Sequence, residues 1–214
     1  MRSQLEMEQA LARLEAQVKA LREDKPTVDI LEVGEAGAPT VTMTALGIRA
    51  YPIPIQSDTR VGAVVLMVRN ITANTDHVDI GIYRIREESR GAIQAPGVYC
   101  DATASYNVNN NPTLQVIRKA RGEVVPVAGV RLFWMLDREI ILRPTTQYFL
   151  VLQSEGGYTD LCARTSSDTV MQAVSCGTPS TFGLTETVAA VPNSVARPIA
   201  FTLFSQRAIR NMGR

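Results

Sequence analysis

Apolar positions along this chain follow two different periods, and the change between them divides it. From Met1 to Asp24 there is no Gly and no Pro, and Met7, Leu11, Leu14, Val18 and Leu21 recur at steps of four and three. That is the a/d seam of a coiled coil, with Leu11 and Val18 at a and Met7, Leu14 and Leu21 at d. Glu8, Glu15, Gln17, Arg22 and Asp24 flank the seam at e and g positions. Nearly every residue is a strong helix former, so propensity and pattern agree. Such a helix, roughly 30 Å long at 1.5 Å per residue, is marginal alone in water. Its apolar stripe is narrower than the face of a core-packed helix, and Lys25-Pro26 detaches it from the rest of the chain, because Pro disfavours helix in the residue before it. The alternative is one amphipathic helix lying on its own domain. The pattern favours an oligomerisation stalk over residues 1–25, a trimer in preference to a dimer, although Leu and Val at a with Met and Leu at d do not choose cleanly between the two.

Beyond a linker at 26–39, where Gly34, Gly37 and Pro39 punctuate a short strand-like Thr27–Val33, the period becomes two. Val41, Met43 and Ala45 alternate with Thr40, Thr42 and Thr44. Pro52 and Pro54 in Arg49–Ile55 suggest an edge strand or an extended crossing. Val61–Ile71 is the longest apolar run and predicts a central strand covered on both faces. After the turn Thr72–Thr75, the alternating Val78–Arg86 predicts its hairpin partner. A second hairpin is expected from Arg138–Leu142 and Thr146–Gln153 around Arg143-Pro144-Thr145. Thr113–Ala120, Val124–Leu136, Tyr158–Arg164, Thr169–Ser175 and Pro198–Ser205 add further strands. Gly177–Pro192 reads as loop with one strand in it, and Gln206–Arg214 as a frayed tail or a gripping arm. Ten or so short strands without interleaved helical periods argue a mainly β fold: a jelly-roll-like antiparallel β-sandwich over 40–214, preceded by the N-terminal α-helical coiled coil.

Composition narrows the function classes. Apolar residues make up 45% and charged residues 20% of the 214, enough for a core. A net charge of +1 gives no electrostatic reason to expect nucleic acid or an anionic membrane. No apolar run approaches the ~20 residues of a membrane span, and the charged, helical N-terminus lacks the apolar core of a secretory signal. The expectation is synthesis in the cytoplasm.

Candidate chemistry is sparse. Cys100, Cys162 and Cys176 are odd in number and form no CxxC pair, and His77 is the only histidine, so neither a disulfide framework nor a zinc site is expected. The thiols read as small buried hydrophobes. His77 sits in NTDHVD between Asp76 and Asp79, a surface-turn position with no G-x-S-x-G nucleophile to serve. Asp76 and Asp79 are too few for an EF-hand-like calcium loop, and Glu87-Glu88, as chain neighbours, diverge. Trp134 reads as core. Arg118, Lys119 and Arg121 read as a solvated strand end without the aromatic interleaving of a nucleic-acid site. No catalytic, metal or cofactor residue is expected.

One resemblance gives these parts a context. Val61–Tyr83, VGAVVLMVRNITANTDHVDIGIY, and Arg138–Ser154, REIILRPTTQYFLVLQS, resemble phage fibre and appendage domains with a jelly-roll sandwich. In that group an apolar strand passes through an Asn/Thr-rich turn into a strand ending Ile-Tyr, here Ile82-Tyr83. A later run has the form L-x-P-G-T-x-Y-x-L-x-L, matched by Leu142, Pro144, Thr146, Tyr148, Leu150 and Leu152, with Thr145 in place of the usual Gly. The resemblance implies a homotrimeric virion fibre or spike, docked to other virion proteins through its helices and contributing to attachment, with a host-surface glycan as a partner. A capsid decoration or head-fibre protein, a trimeric polysaccharide depolymerase or esterase, and a cellular lectin-like module are the alternatives. The Asn-rich loop with Tyr106, Asn107, Asn109, Asn110 and Asn111 is the candidate contact surface, against its being merely a solvated loop.

Overall fold

A computed structural model of the chain describes residue 13 and residues 27–71, 75–85, 113–124, 130–164, 173–189 and 195–212. The expected coiled-coil positions Met7, Leu11, Leu14, Val18 and Leu21, and the loop positions Tyr106, Asn107, Asn109, Asn110 and Asn111, lie outside the described residues. Within them the fold is mainly β and antiparallel, with strands β1 (Ile30–Val33), β2 (Ala36–Thr42), β3 (Ile48–Ile53), β4 (Thr59–Ile71), β5 (Asp76–Ile85), β6 (Thr113–Val124), β7 (Val130–Leu142), β8 (Tyr148–Ser154), β9 (Thr159–Arg164), β10 (Ala173–Ser175), β11 (Thr187–Ala189), β12 (Val195–Ala196) and β13 (Phe201–Phe204), followed by a helix, α1 (Gln206–Met212). Residues 27–39, read from sequence as linker, hold β1 and the start of β2.

The apolar run Val61–Ile71 is central, as expected, because β4 is flanked on both edges. β7 runs along one edge, from Thr59↔Leu142 to Val68↔Val130. The other edge is divided: β13 pairs with Ala63–Leu66 and β9 with Val68–Ile71. β1 extends β13, and β2 extends β9. The second sheet runs β11-β6-β5-β8-β3-β10-β12. From β2 to β9 the ladders are nested, β2 with β9, β3 with β8, β4 with β7 and β5 with β6. Consecutive strands therefore alternate between sheets, except for β5 and β6.

That nesting corrects both expected hairpins. β4 and β5 lie in different sheets, as do β7 and β8. The turn at 143–147 does form, closed by Thr146 N–H to Arg143 O at 3.1 Å, but it carries the chain across the core. Period-two alternation says which side of a strand is buried and is silent on which strand lies beside it.

Pro52 also sits differently from expectation. β3 is interior over Arg49 and Ala50, with β8 on one edge and β10 on the other. Ile48 donates to Gly177 O and accepts from Cys176 N, so Ile48, Ala50 and Pro52 all direct their backbone groups toward β10. The described register between β10 and β3 ends at Ala50. Among the described residues no ladder partner lies opposite Pro52 on that edge, so the donor it lacks breaks no described bond.

Between the sheets lies one apolar core, with Val64, Leu66, Trp134 and Leu136 from the first sheet against Tyr51, Ile80, Ile82, Leu150 and Leu152 from the second. Trp134 is core, 3% exposed, with its indole N–H donated to Val78 O at 3.2 Å. A second cluster lies on the far side of the second sheet, where Tyr83, Phe149 and Val151 pack beneath Leu184 and Val188. Residues 176–189 form a strap over that side, which is why all seven residues of β8 are buried.

The C-terminal segment is neither frayed tail nor arm in its described part: Gln206–Met212 is α1, packed on β4 and β13. Ser205 caps it, its Oγ accepting from Ala208 N at 3.0 Å. In β7, residues between Met135 and Ile140 bulge opposite Gly62. The bulge presents Glu139, which accepts from Gln206 N at 2.7 Å and from Arg60 Nη1 at 3.4 Å. A Cβ on Gly62 would lie 2.6 Å from Gln206 Cγ, so the helix starts where only glycine lets it approach.

Candidate functional site

A polar cleft of about 410 Å³ opens where β2, at the edge of the first sheet, parts from β3 and β10 in the second. That volume falls in the range of about 300–1,000 Å³ typical of small-ligand sites. Alternation builds one wall: Val41 and Met43 turn into the core, leaving Thr40, Thr42 and Thr44 exposed. Arg49, Ser175, Thr178 and Arg197 line the rest.

Arg49 shares its side of β3 with Tyr51 and Ile53, so it reaches into the parting of the sheets. Its Nη2 donates to Thr44 Oγ1 at 3.1 Å. The Tyr51 phenol behind it is pushed up to about 12, chiefly by burial, with the Arg49 charge opposing the shift. The phenol is therefore neutral at physiological pH. Arg197 lies exposed after β12. Two guanidiniums and several hydroxyls supply donors for carboxylate, sulfate or phosphate oxygens and for sugar hydroxyls.

The turn entering β3 is strained. Leu46 has a φ of 58°, a left-handed conformation uncommon outside Gly, Asn and Asp. Three bonds hold it: Leu46 N to Ser154 O at 2.8 Å, Gly47 N to Thr44 O at 2.9 Å, and Gln153 Nε2 to Leu46 O at 3.1 Å. Strain of this kind persists where surrounding structure over-determines it and clusters at binding sites.

The residues singled out from sequence are used elsewhere. His77 is the second residue of β5, and its Nδ1 lies 2.8 Å from Glu155 Oε2, both side chains about half exposed. Asp76 is buried and organises the β8–β9 turn. Its carboxylate accepts from Ser154 Oγ at 2.6 Å, Gly156 N at 2.9 Å, Tyr158 N at 3.1 Å and Thr159 Oγ1 at 2.7 Å. Asp79 accepts both arms of Arg121, at 2.5 and 2.9 Å, together with Leu184 N from the strap at 3.2 Å. The bonds to Asp79 raise the Arg121 guanidinium pKa, and the group also stacks 4.5 Å from the Phe182 ring centroid.

The basic cluster lies mid-strand and not at a strand end, with Lys119 and Arg121 exposed but partnered. Arg118 pairs with Asp137 at 3.4 Å and Lys119 donates to Leu184 O at 2.8 Å, all within the middle of β6. Cys162 is buried and Cys176 half-buried, both free thiols. Burial pushes Cys176 up to about 12. Cys100, Glu87 and Glu88 lie outside the described residues. Among the described residues no three His, Cys, Asp or Glu gather at a metal position, and no helix is long and apolar enough to cross a membrane.

The cleft had no signature in the sequence. Arg197 lies about 150 residues beyond Thr44 and Arg49, and nothing in the spacing brings it to them. No family model matches this sequence, and no curated protein matches it.

Proposed function

We propose that this chain is a structural virion protein, a homotrimeric fibre or spike of a bacteriophage that acts by binding. In this reading residues 1–25 form a coiled-coil stalk that trimerises and docks to other virion proteins, and the β domain is a jelly-roll sandwich projecting from it. The observation that carries the reading is the nested pairing of β2 to β9, folded as one long antiparallel ribbon wound across two sheets. Two Greek keys in two sheets are the connectivity of jelly rolls. The nesting supports the resemblance of Val61–Tyr83 and Arg138–Ser154 to fibre domains.

Trimerisation has a physical purpose here. Three linked sites see one another at high effective concentration, so weak contacts add to avid attachment. The cleft beside Arg49 and Arg197 offers donors suited to an acidic surface glycan. Light scattering on the intact chain tests the assembly: a trimer is expected, and Leu14→Asp with Val18→Asp should dissociate it. A monomeric parent chain would remove the reading. Arg49→Ala should abolish retention on immobilised uronic-acid or sialylated glycans. Turnover of a capsular polysaccharide would replace binding with catalysis as the function.

A further inference from the structure

The outer side of the first sheet carries apolar residues that the described part of its own chain leaves open. The ladder register gives two adjacent ranks: Ile30, Phe204, Ala63 and Met135 in one, then Glu32, Thr202, Val65 and Phe133 in the next. Ile30, Phe133 and Met135 are 48%, 50% and 51% exposed. The Phe133 and Phe204 rings lie 6.1 Å apart, tilted at 38°. Met212, on the helix packed against this sheet, is 54% exposed. Contiguous exposed apolar side chains rimmed by charge mark an interaction surface.

We propose that this face, centred on Phe133, Met135 and Ile30, is where sister copies of the chain pack around the stalk axis. The inference rests on the trimeric reading and adds to it a second interface, within the β domain. Two observations commit it to a second copy. First, β1 is the first strand after the heptad seam. Only residues 22–29 separate Leu21 from Ile30, a reach of at most about 32 Å over nine extended steps. Once the seams assemble, three copies of Ile30 are tethered near one axis, and the face that Ile30 begins is the face nearest its sisters.

Second, the face has opposite charges on opposite edges. Glu32 lies exposed on β1, and Arg131 exposed on β7, pointing the same way as Phe133 and Met135. An acid on one edge and a base on the other suit a head-to-tail contact, in which each copy's β1 edge meets its neighbour's β7 edge. Such heterologous contacts close into rings when the rotation allows. The opposed charges also set the register of the encounter.

The test uses the full chain, its trimer dissociation on dilution followed by sedimentation and its fold by circular dichroism. Phe133→Glu and Met135→Glu should each raise the dissociation constant at least tenfold with the β spectrum unchanged. Glu32→Arg should weaken assembly by roughly two- to fivefold, the size of an exposed ion pair, and adding Arg131→Glu should restore it. Leu14→Asp alone, without the second stalk substitution, should weaken the trimer only in part, and adding Phe133→Glu should remove the association that remains. A trimer indifferent to all the β-domain variants would leave the stalk reading standing and overturn this inference. A monomeric parent chain would overturn both.

Discussion

The second sheet turns Tyr83, Phe149 and Val151 outward and hides them beneath residues 176–189, whereas the first sheet turns Ile30, Phe133 and Met135 outward and leaves them about half exposed. Both faces are apolar, so hydrophobicity alone did not decide which would be closed. Polar anchors account for the difference. The strap is tied by Gln153, which donates to Thr181 O at 3.2 Å and accepts from Gly183 N at 2.9 Å, and by the Tyr83 hydroxyl, which donates to Thr185 O at 2.6 Å. Asp79 adds Leu184 N. A loop laid on a sheet brings backbone groups that must be paired, and the second sheet supplies the partners. On the first sheet, among the described residues, only α1 is held down, by Ser205 and Glu139.

The sharpest way to break the comparison is to truncate one ring on each side. Phe149→Ala removes a side chain only 1% exposed and should cost about 3–5 kcal/mol in chemical denaturation. Phe133→Ala should move the concentration-independent part of that stability by less than about 1 kcal/mol. Equal losses would mean that the faces are not differently finished.

Next in size is the anchor itself. Gln153→Leu leaves Leu46 O, Thr181 O and Gly183 N without their side-chain partner, for an expected loss of about 2–3 kcal/mol. Proteolysis within residues 177–186 should quicken while β8 stays protected. A smaller effect is expected from Asp79→Asn. The Arg121 side chain is 56% exposed, so screening limits the loss to about 1 kcal/mol, and high salt should shrink the difference between parent and variant.

The smallest effect separates the two clusters by pH. Burial raises Cys176 from an ordinary 9.0 to about 12 and Tyr51 from 10.0 to about 12. In each case the folded state favours the neutral form. The stabilisation is complete below the ordinary value and is lost as pH rises through the folded one. Loss therefore begins near pH 9 under the strap and near pH 10 in the main core. Cys176→Ala should flatten the fall in denaturation midpoint between pH 9 and 10, and an unchanged slope would reject this assignment.

Much of the β architecture was legible in the chain. Val41 and Met43 face inward and Thr40, Thr42 and Thr44 outward, as alternation predicts. Trp134 is core, and β4 is central. The two hairpins were misread because a tight turn such as 143–147 redirects a strand without specifying its neighbour. The proline at 52 was half misread, since β3 is interior over Arg49 and Ala50 and its described register with β10 ends before Pro52. The Arg118–Arg121 cluster is part-exposed as expected, but its ties to Asp79, Asp137 and Leu184 were hidden because those residues are remote in sequence. The cleft escaped notice for the same reason: Arg49 and Arg197 converge only after β3 and the segment following β12 are in place.

What the sequence determined by itself is local: where strands run and which side of each is apolar, both consequences of a backbone whose side chains alternate every residue. What tertiary structure alone decided is partnership: which strands share a ladder, that 176–189 closes one outer face, and that charged groups gather at the parting of the sheets. Those outcomes depend on contacts between residues distant along the chain, chosen by which apolar faces can close while the backbone groups they bury still find partners.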